Sequence, residues 1–395
     1  MRSLLPADSS ATSRHASRGL HRTVCAVSLA VAAMLSACSG YKPPPPSPLQ
    51  PNPATVAAHA AWTQRLAGGV NFPLHVAAVD GRLIMADASG DVMALDATTG
   101  SVAWRTHVAS SLVAGVGTDG TTSAVVSGSS ELIAIRNGMV AWKVPLASQS
   151  YTAPLVAGGR VFVVNADRSI AAYDAGNGYR IWQQKARAGN EDNLVLKQDS
   201  LLMAAGGGLL VGVAGRIVAF NPDNGAPLGE VTLAIPRGVD EVARMSDVVA
   251  PASRVGNSLC ARTFQANVAC ADYGKSAIAW SQPSDGTSGI SGDARIVVGA
   301  DSLGDVVAWS RADGKQLWKN TTFRHRGLSA PLVIGDNVLV ADAQGYVHVL
   351  DAADGELRNR VATDGAPIQV APVAAGRDLA VVVGAKGTVS AIRLQ

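Results

Sequence analysis

One nine-residue unit, Asp-x-x-x-Gly-x-x-x-Trp, constrains this chain more than any other feature. It is complete at Asp96, Gly100 and Trp104 and again at Asp174, Gly178 and Trp182, and it returns at Ser310, Gly314 and Trp318 with Ser in the first place. Partial copies keep the register. Gly138 and Trp142 hold the second half, Asp272 and Trp280 the outer pair, Asn221 and Gly225 the first half with Gly229 in the Trp slot, and Asp351 and Gly355 the first half with Asn359 there. The Trp slots fall at 104, 142, 182, 229, 280, 318 and 359, with steps of 38, 40, 47, 51, 38 and 41 residues. Between them lie short apolar or alternating runs such as Val161-Phe162-Val163-Val164 and Ile170 to Tyr173, broken by Gly, Asn and Asp. These are strand and turn signals, and no window sustains the period of a helix. A period near 40 built of short strands predicts an all-β propeller with four-stranded blades.

The repeat overrides the two or three domains that 395 residues alone suggest. Units are expected at about residues 72–108, 111–147, 151–186, 201–234, 248–283, 288–320 and 329–363. The C-terminal end supplies only three further strand-like runs, Val370 to Val373, Leu379 to Val383 and Val389 to Leu394. One strand is left over at the other end, where Ala61 to Leu66 matches the segment around Trp104. Joining the two gives an eight-bladed β-propeller closed by an N-terminal strand, with no open sheet edge. Seven blades is the competing count.

Residues 1–37 read as a lipoprotein signal peptide. Arg14, Arg18 and Arg22 precede an uncharged run that is too short to span a bilayer and ends Leu35-Ser36-Ala37-Cys38. This pattern resembles the bacterial lipoprotein signal, which implies lipidation at Cys38. Ser39, in place of the Asp familiar from inner-membrane retention, resembles lipoproteins sent to the outer membrane. Residues 38–56, with seven prolines from Tyr41 to Thr55, are expected to be an extended tether, and residues 57–395 the propeller. Four arginines and one aspartate lie in residues 1–37, leaving 29 basic against 29 acidic residues in the remainder. A neutral body gives no support for nucleic-acid binding.

No catalytic motif stands out. The chain has no Gly-x-Ser-x-Gly elbow, His-Glu-x-x-His pair or phosphate loop, and Gly206 to Gly208 sit between strands rather than before a helix. The tryptophans, recurring beside a Gly turn, are expected to pack between blades rather than to form stacking platforms. Cys260 and Cys270 are equidistant from Gln265 in the turn Gln265-Ala266-Asn267 and are expected to face each other on a hairpin as a disulfide in an oxidising compartment. Metal binding is not expected, with no His near them.

The repeat resembles the quinoprotein (PQQ-enzyme-like) propellers. The enzymes of that superfamily carry adjacent cysteines and a calcium site and are much longer, and no Cys-Cys pair occurs here. A second resemblance covers the chain from Cys38 onward. Ser329 to Gly355 and Ala371 to Ile392 are similar to the last two blades of the BamB family, the lipoprotein propellers of the outer-membrane β-barrel assembly machinery. Leu194-Val195-Leu196-Lys197 resembles that family's partner-facing Leu-x-Leu-Arg run. Arg244-Met245-Ser246-Asp247-Val248-Val249 resembles its Arg-Leu-Ser-Asp-x-Asp run, with Val249 in place of the second Asp. The resemblance implies a non-enzymatic periplasmic scaffold without a cofactor, lipid-anchored at the outer membrane. Its implied partners are the central BamA-like subunit and nascent outer-membrane proteins. A small quinoprotein enzyme and a structural propeller of the envelope stay open as alternatives.

The two long steps, 47 and 51, put extra residues at about 187–200 and 235–248, each between the outer strand of one blade and the inner strand of the next. Such connections share one face of a propeller, so these two are expected to form a single patch. Leu194, Val195 and Leu196, beside Arg187, Lys197, Arg237, Arg244 and Asp247, suit an interface. Leu194, Leu196, Lys197, Arg244 and Asp247 are the expected partner-binding residues.

Overall fold

The computed structural model describes residues 44–186, 195–235 and 246–395. Cys38, Arg187, Leu194, Arg237 and Arg244 lie outside the described residues. The compact unit, Pro46–Gln395, contains eight four-stranded antiparallel sheets, seven of them built from consecutive strands. They follow one another at 77–107, 112–145, 155–185, 202–232, 248–283, 290–320 and 332–362. We number them blades one to seven. The eighth joins Val373–Ala374, Leu379–Val383 and Thr388–Leu394 to Ala58–Arg65. The eight-bladed propeller read from the repeat is the fold observed.

Closure is a full ladder. Ala58 pairs with Leu394 and Arg65 with Thr388, with a bulge between Ala60 and Trp62. The second and third strands of each blade are almost wholly buried, as in Leu379–Val383 and Arg82–Ala86. Outer strands such as Val102–His107 alternate between exposed and half-buried positions, as a strand with one solvated face should.

The repeated unit has a physical explanation in the contact between blades. The first Asp caps a tight turn between the third and outer strands. Asp174 Oδ1 accepts from Gly176 N at 2.8 Å and Asn177 N at 3.0 Å, and Gly178 N donates to the Asp174 carbonyl. Asp96 does the same with Thr98 and Thr99, and these hydrogen bonds to the charged form hold its carboxyl below the usual range. The Gly that follows has φ of +71° at Gly100, +78° at Gly178 and +77° at Gly355, a region open to Gly at little cost.

The Trp of the preceding blade lies on that Gly. A Cβ added at Gly100, Gly138, Gly178, Gly225, Gly314 or Gly355 would come within 3.0 Å of Trp62, Trp104, Trp142, Trp182, Trp280 or Trp318 respectively. The indole N–H then bonds a carbonyl of the same neighbouring turn. Trp142 Nε1 donates to Ala175 O at 2.9 Å, Trp182 to Pro222 O at 2.9 Å and Trp318 to Ala352 O at 3.0 Å. The tryptophans thus act between blades, as their position beside the turns suggests.

The described part of the proline-rich N-terminal segment is fastened to the propeller. From Ser47 onward it is held across the rim of blade seven. Ser47 N donates to Arg324 O and Thr55 N to Arg358 O. Arg326 and Arg360 donate to the Ser47 and Gln50 carbonyls, each at 2.9 Å. Asn359 Nδ2 donates to Val56 O, and Asn52 Nδ2 to Asn359 Oδ1. Proline removes donors but leaves carbonyls bare on an extended chain, and the two arginines fill that need.

Cys260 and Cys270 are direct partners in the ladder between Ser258–Thr263 and Asn267–Asp272, with Cα atoms 3.9 Å apart and the sulfurs bonded. Both are fully buried.

Deleting residues 58–65 removes a whole strand and exposes the edges of two blades. The cost is several kcal/mol, and about 1 kcal/mol moves Tm by roughly 2 °C at this size, so the deleted chain should melt at least ~10 °C below the parent. An unchanged Tm in circular dichroism would show that this strand does not close the ring. For the cysteines, maleimide labelling of protein purified without reductant and then unfolded should leave Cys260 and Cys270 unmodified. Labelling of both would refute a bridge.

Candidate functional site at the paired insertions

Each blade connection from outer to inner strand emerges on one face. The described parts of the two long ones meet there around blade four. Ser200 bridges Val249 as an isolated antiparallel pair. Leu201 N donates to Val248 O and Ala250 N to Asp199 O, both at 3.1 Å. The described ends of the two insertions are therefore joined where they enter blades four and five. Gln198 Nε2 reaches Thr287 O in the next connection at 2.7 Å, and Lys197 Nζ lies 5.7 Å from the Tyr151 ring centre.

The expected contact residues fall into different environments. Lys197 is exposed, and Val195 and Leu196 are half-buried. Asp247 is turned inward instead, with 9% of its surface accessible. Its carboxylate accepts from Leu196 N and Ala214 N, both at 3.2 Å, and stands 3.7 Å from Arg168. A short acidic side chain beside two free backbone N–H groups finds more hydrogen bonds inside than out. Asp247 thus fixes the first insertion to blade four, through Leu196 N on one side and Ala214 N on the other. Val249, at the family's second Asp position, is 1% exposed within the ladder to Arg262, so that position faces the core here.

Two residues that the sequence does not single out complete the site. Asp199 accepts from Ala153 N at 3.0 Å. Loss of water around it pushes its carboxyl up to about 7, the Ala153 hydrogen bond opposing only part of that rise. It borders a central cavity of about 460 Å³, together with His75, Phe72, Lys197, Pro251 and Gln369. Neither Asp199 nor His75 lies in a motif, and only the three-dimensional meeting of connections reveals them. Among the described residues no group of three or more His, Cys, Asp or Glu side chains is placed to hold a metal ion.

With this geometry in place, the comparisons with known proteins are decisive. A family model described as "Outer membrane protein assembly factor BamB" matches residues 55–114, 88–320 and 314–395. The chain belongs to the BamB family. It is 33% identical to the outer membrane protein assembly factor BamB of Burkholderia pseudomallei over 368 residues, 92% of this chain and 96% of that one. The crystal structure of BamB from Moraxella catarrhalis superposes with a TM-score of 0.77 at 26% identity, covering 85% of this chain and all of that one. A quinohemoprotein alcohol dehydrogenase from Comamonas testosteroni superposes at 0.65 with 14% identity. That likeness shows the shared propeller alone.

The sign of the Asp199 effect follows from its raised value. A carboxyl at 3.8 when unfolded and about 7 when folded favours the fold at low pH, and that stability is lost as pH rises from about 4 to 7. The ceiling on the loss is about 4 kcal/mol. Asp199→Asn keeps an acceptor for Ala153 N–H without the charge. It should melt above the parent at pH 8, and the advantage should shrink by about half at pH 5. Equal differences at both pH values would show that Asp199 is not desolvated in the fold.

Proposed function

We propose that the protein is a non-enzymatic periplasmic scaffold of outer-membrane protein assembly. It is held at the outer membrane by a lipid on Cys38 and docks the central BamA-like barrel subunit through the paired insertions. The observation that carries the docking site is local. The two connections that break the forty-residue period are bonded to each other through Ser200, Val249, Leu196 and Asp247, so they offer one surface on one face. A rigid ring with variable connections is a common way to build a recognition surface. Apolar Leu194 and Leu196 beside the cations Lys197 and Arg244 have the composition of interface anchors. The curated relatives are named assembly factors, which supports the class of partner.

The test is capture of the barrel subunit from solubilised membranes. Leu194→Ala with Leu196→Ala should abolish capture while circular dichroism still shows a folded propeller. Arg244→Ala with Asp247→Ala should also abolish it, but at a stability cost of about 1–3 kcal/mol, since Leu196 N and Ala214 N lose a charged acceptor. Intact capture by both double variants would place the partner elsewhere on the ring.

A further inference from the structure

The chain just after the Cys38 tether is not free, and where it is fastened has consequences for orientation. The segment enters the compact unit beside Thr322 and Arg324, in the connection between the outer strand of blade six, Gln316–Asn320, and the inner strand of blade seven, Leu332–Ile334. That connection lies on the same face as the paired insertions. The segment then crosses the rim and reaches the opposite face at Thr55, beside Arg358 at the start of the outer strand Leu357–Ala362.

The fastening is built rather than incidental. Arg326, 4% exposed, donates through Nε to Asp342 Oδ2 at 2.7 Å and through Nη1 to Ser47 O. Asp342 and His348 are fully buried, with His348 Nε2 at 3.0 Å from the same Asp342 oxygen. The guanidinium is thus held in place from behind and aimed at the Ser47 carbonyl. Arg326 and Arg360 flank the Tyr346 ring, each 5.8 Å from its centre, and Arg360 carries the Gln50 carbonyl. Loss of the segment would leave two oriented cations without the carbonyls they serve.

Chain length turns this into an orientation. A free chain from Cys38 to Ala58 would reach roughly 65 Å, enough to turn any part of a propeller about 50 Å across toward a membrane. With Ser47 fixed, the reach from Cys38 is at most roughly 30 Å. A six-residue outer strand separates the two faces by about 20 Å before turns are counted. The face where Ser47 sits is therefore held nearer the anchor.

We propose that residues 47–56 form a strap that turns the insertion-bearing face toward the phospholipid surface, so that the partner is met at the membrane-facing side of the ring. This rests on the lipid anchor at Cys38. The experiment uses the full lipidated protein on vesicles of phosphatidylethanolamine and phosphatidylglycerol that carry a headgroup quencher. One fluorophore is attached at Leu303→Cys, in an exposed turn on the insertion face, and another at Ala353→Cys, in a turn on the opposite face. Quenching should be severalfold stronger at 303 than at 353. Replacing residues 48–55 with a Gly-Ser run of equal length should abolish that difference while the protein still co-sediments with the vesicles. Equal quenching in the parent, or a difference that survives the replacement, would overturn the strap. Co-sedimentation undiminished in Cys38→Ser would overturn the anchor itself, an outcome separate from the other two.

Discussion

The ring depends on one contact made repeatedly, a tryptophan side chain lying on the glycine turn of the next blade. The contact imposes two demands on one residue. The turn needs positive φ, and the indole needs the volume that a Cβ would take, so Gly178 under Trp142 satisfies both where alanine satisfies neither. The indole N–H closes the arrangement by bonding a carbonyl of the same turn. Removing a large buried aromatic costs about 3–5 kcal/mol, and here that cost would fall at a junction between blades. Sheets of four short strands have little core of their own, so the junctions hold the molecule together.

The exceptions to the repeat follow from the same contact. Gly229 occupies the Trp slot of blade four, and the next turn places Ser276 where glycine stands elsewhere, at φ +51°. With no indole to receive, that turn tolerates a side chain, and the space above Gly229 is bordered by Ser276 Oγ. Asn359 occupies the slot of blade seven. Its neighbour has no turn between third and outer strands, because that blade's outer strand is Ala58–Arg65 and does not follow Thr388–Leu394 in the chain. Asn359 instead bonds Val56 and Asn52. Each missing tryptophan marks a missing partner.

This explains what could be read from the sequence. Blade number and ring closure were legible because one local rule, the turn and its indole, recurs along the chain. Closure by Ala58–Arg65 was legible by subtraction, since Trp62 carries the outer-strand mark with no blade before it. The position of the paired insertions was legible from the two steps that break the period. What could not be read are interactions between residues far apart and without a pattern. Asp247 looks like a surface acid in its motif, and only the approach of Leu196 N and Ala214 N turns it inward. The prolines before Thr55 signal extension correctly but do not show that Arg326 and Arg360 wait for their carbonyls.

A propeller divides its labour between parts that must not move and parts that are free to vary. The second and third strands are buried and bonded on both sides, so changes there disturb the ring. The outer-to-inner connections are constrained only at their ends, and blade four can carry extra chain on both sides without changing its own ladders. Placing both insertions on one blade lets them brace each other, as Asp199, Ser200 and Asp247 do, rather than stand as two loose loops. Bracing lowers the entropy lost on ordering a loop at an interface. Ser47 is held in the same way, by Arg324 O and the Arg326 guanidinium. In both places intramolecular hydrogen bonds reduce the number of arrangements open to the chain they hold.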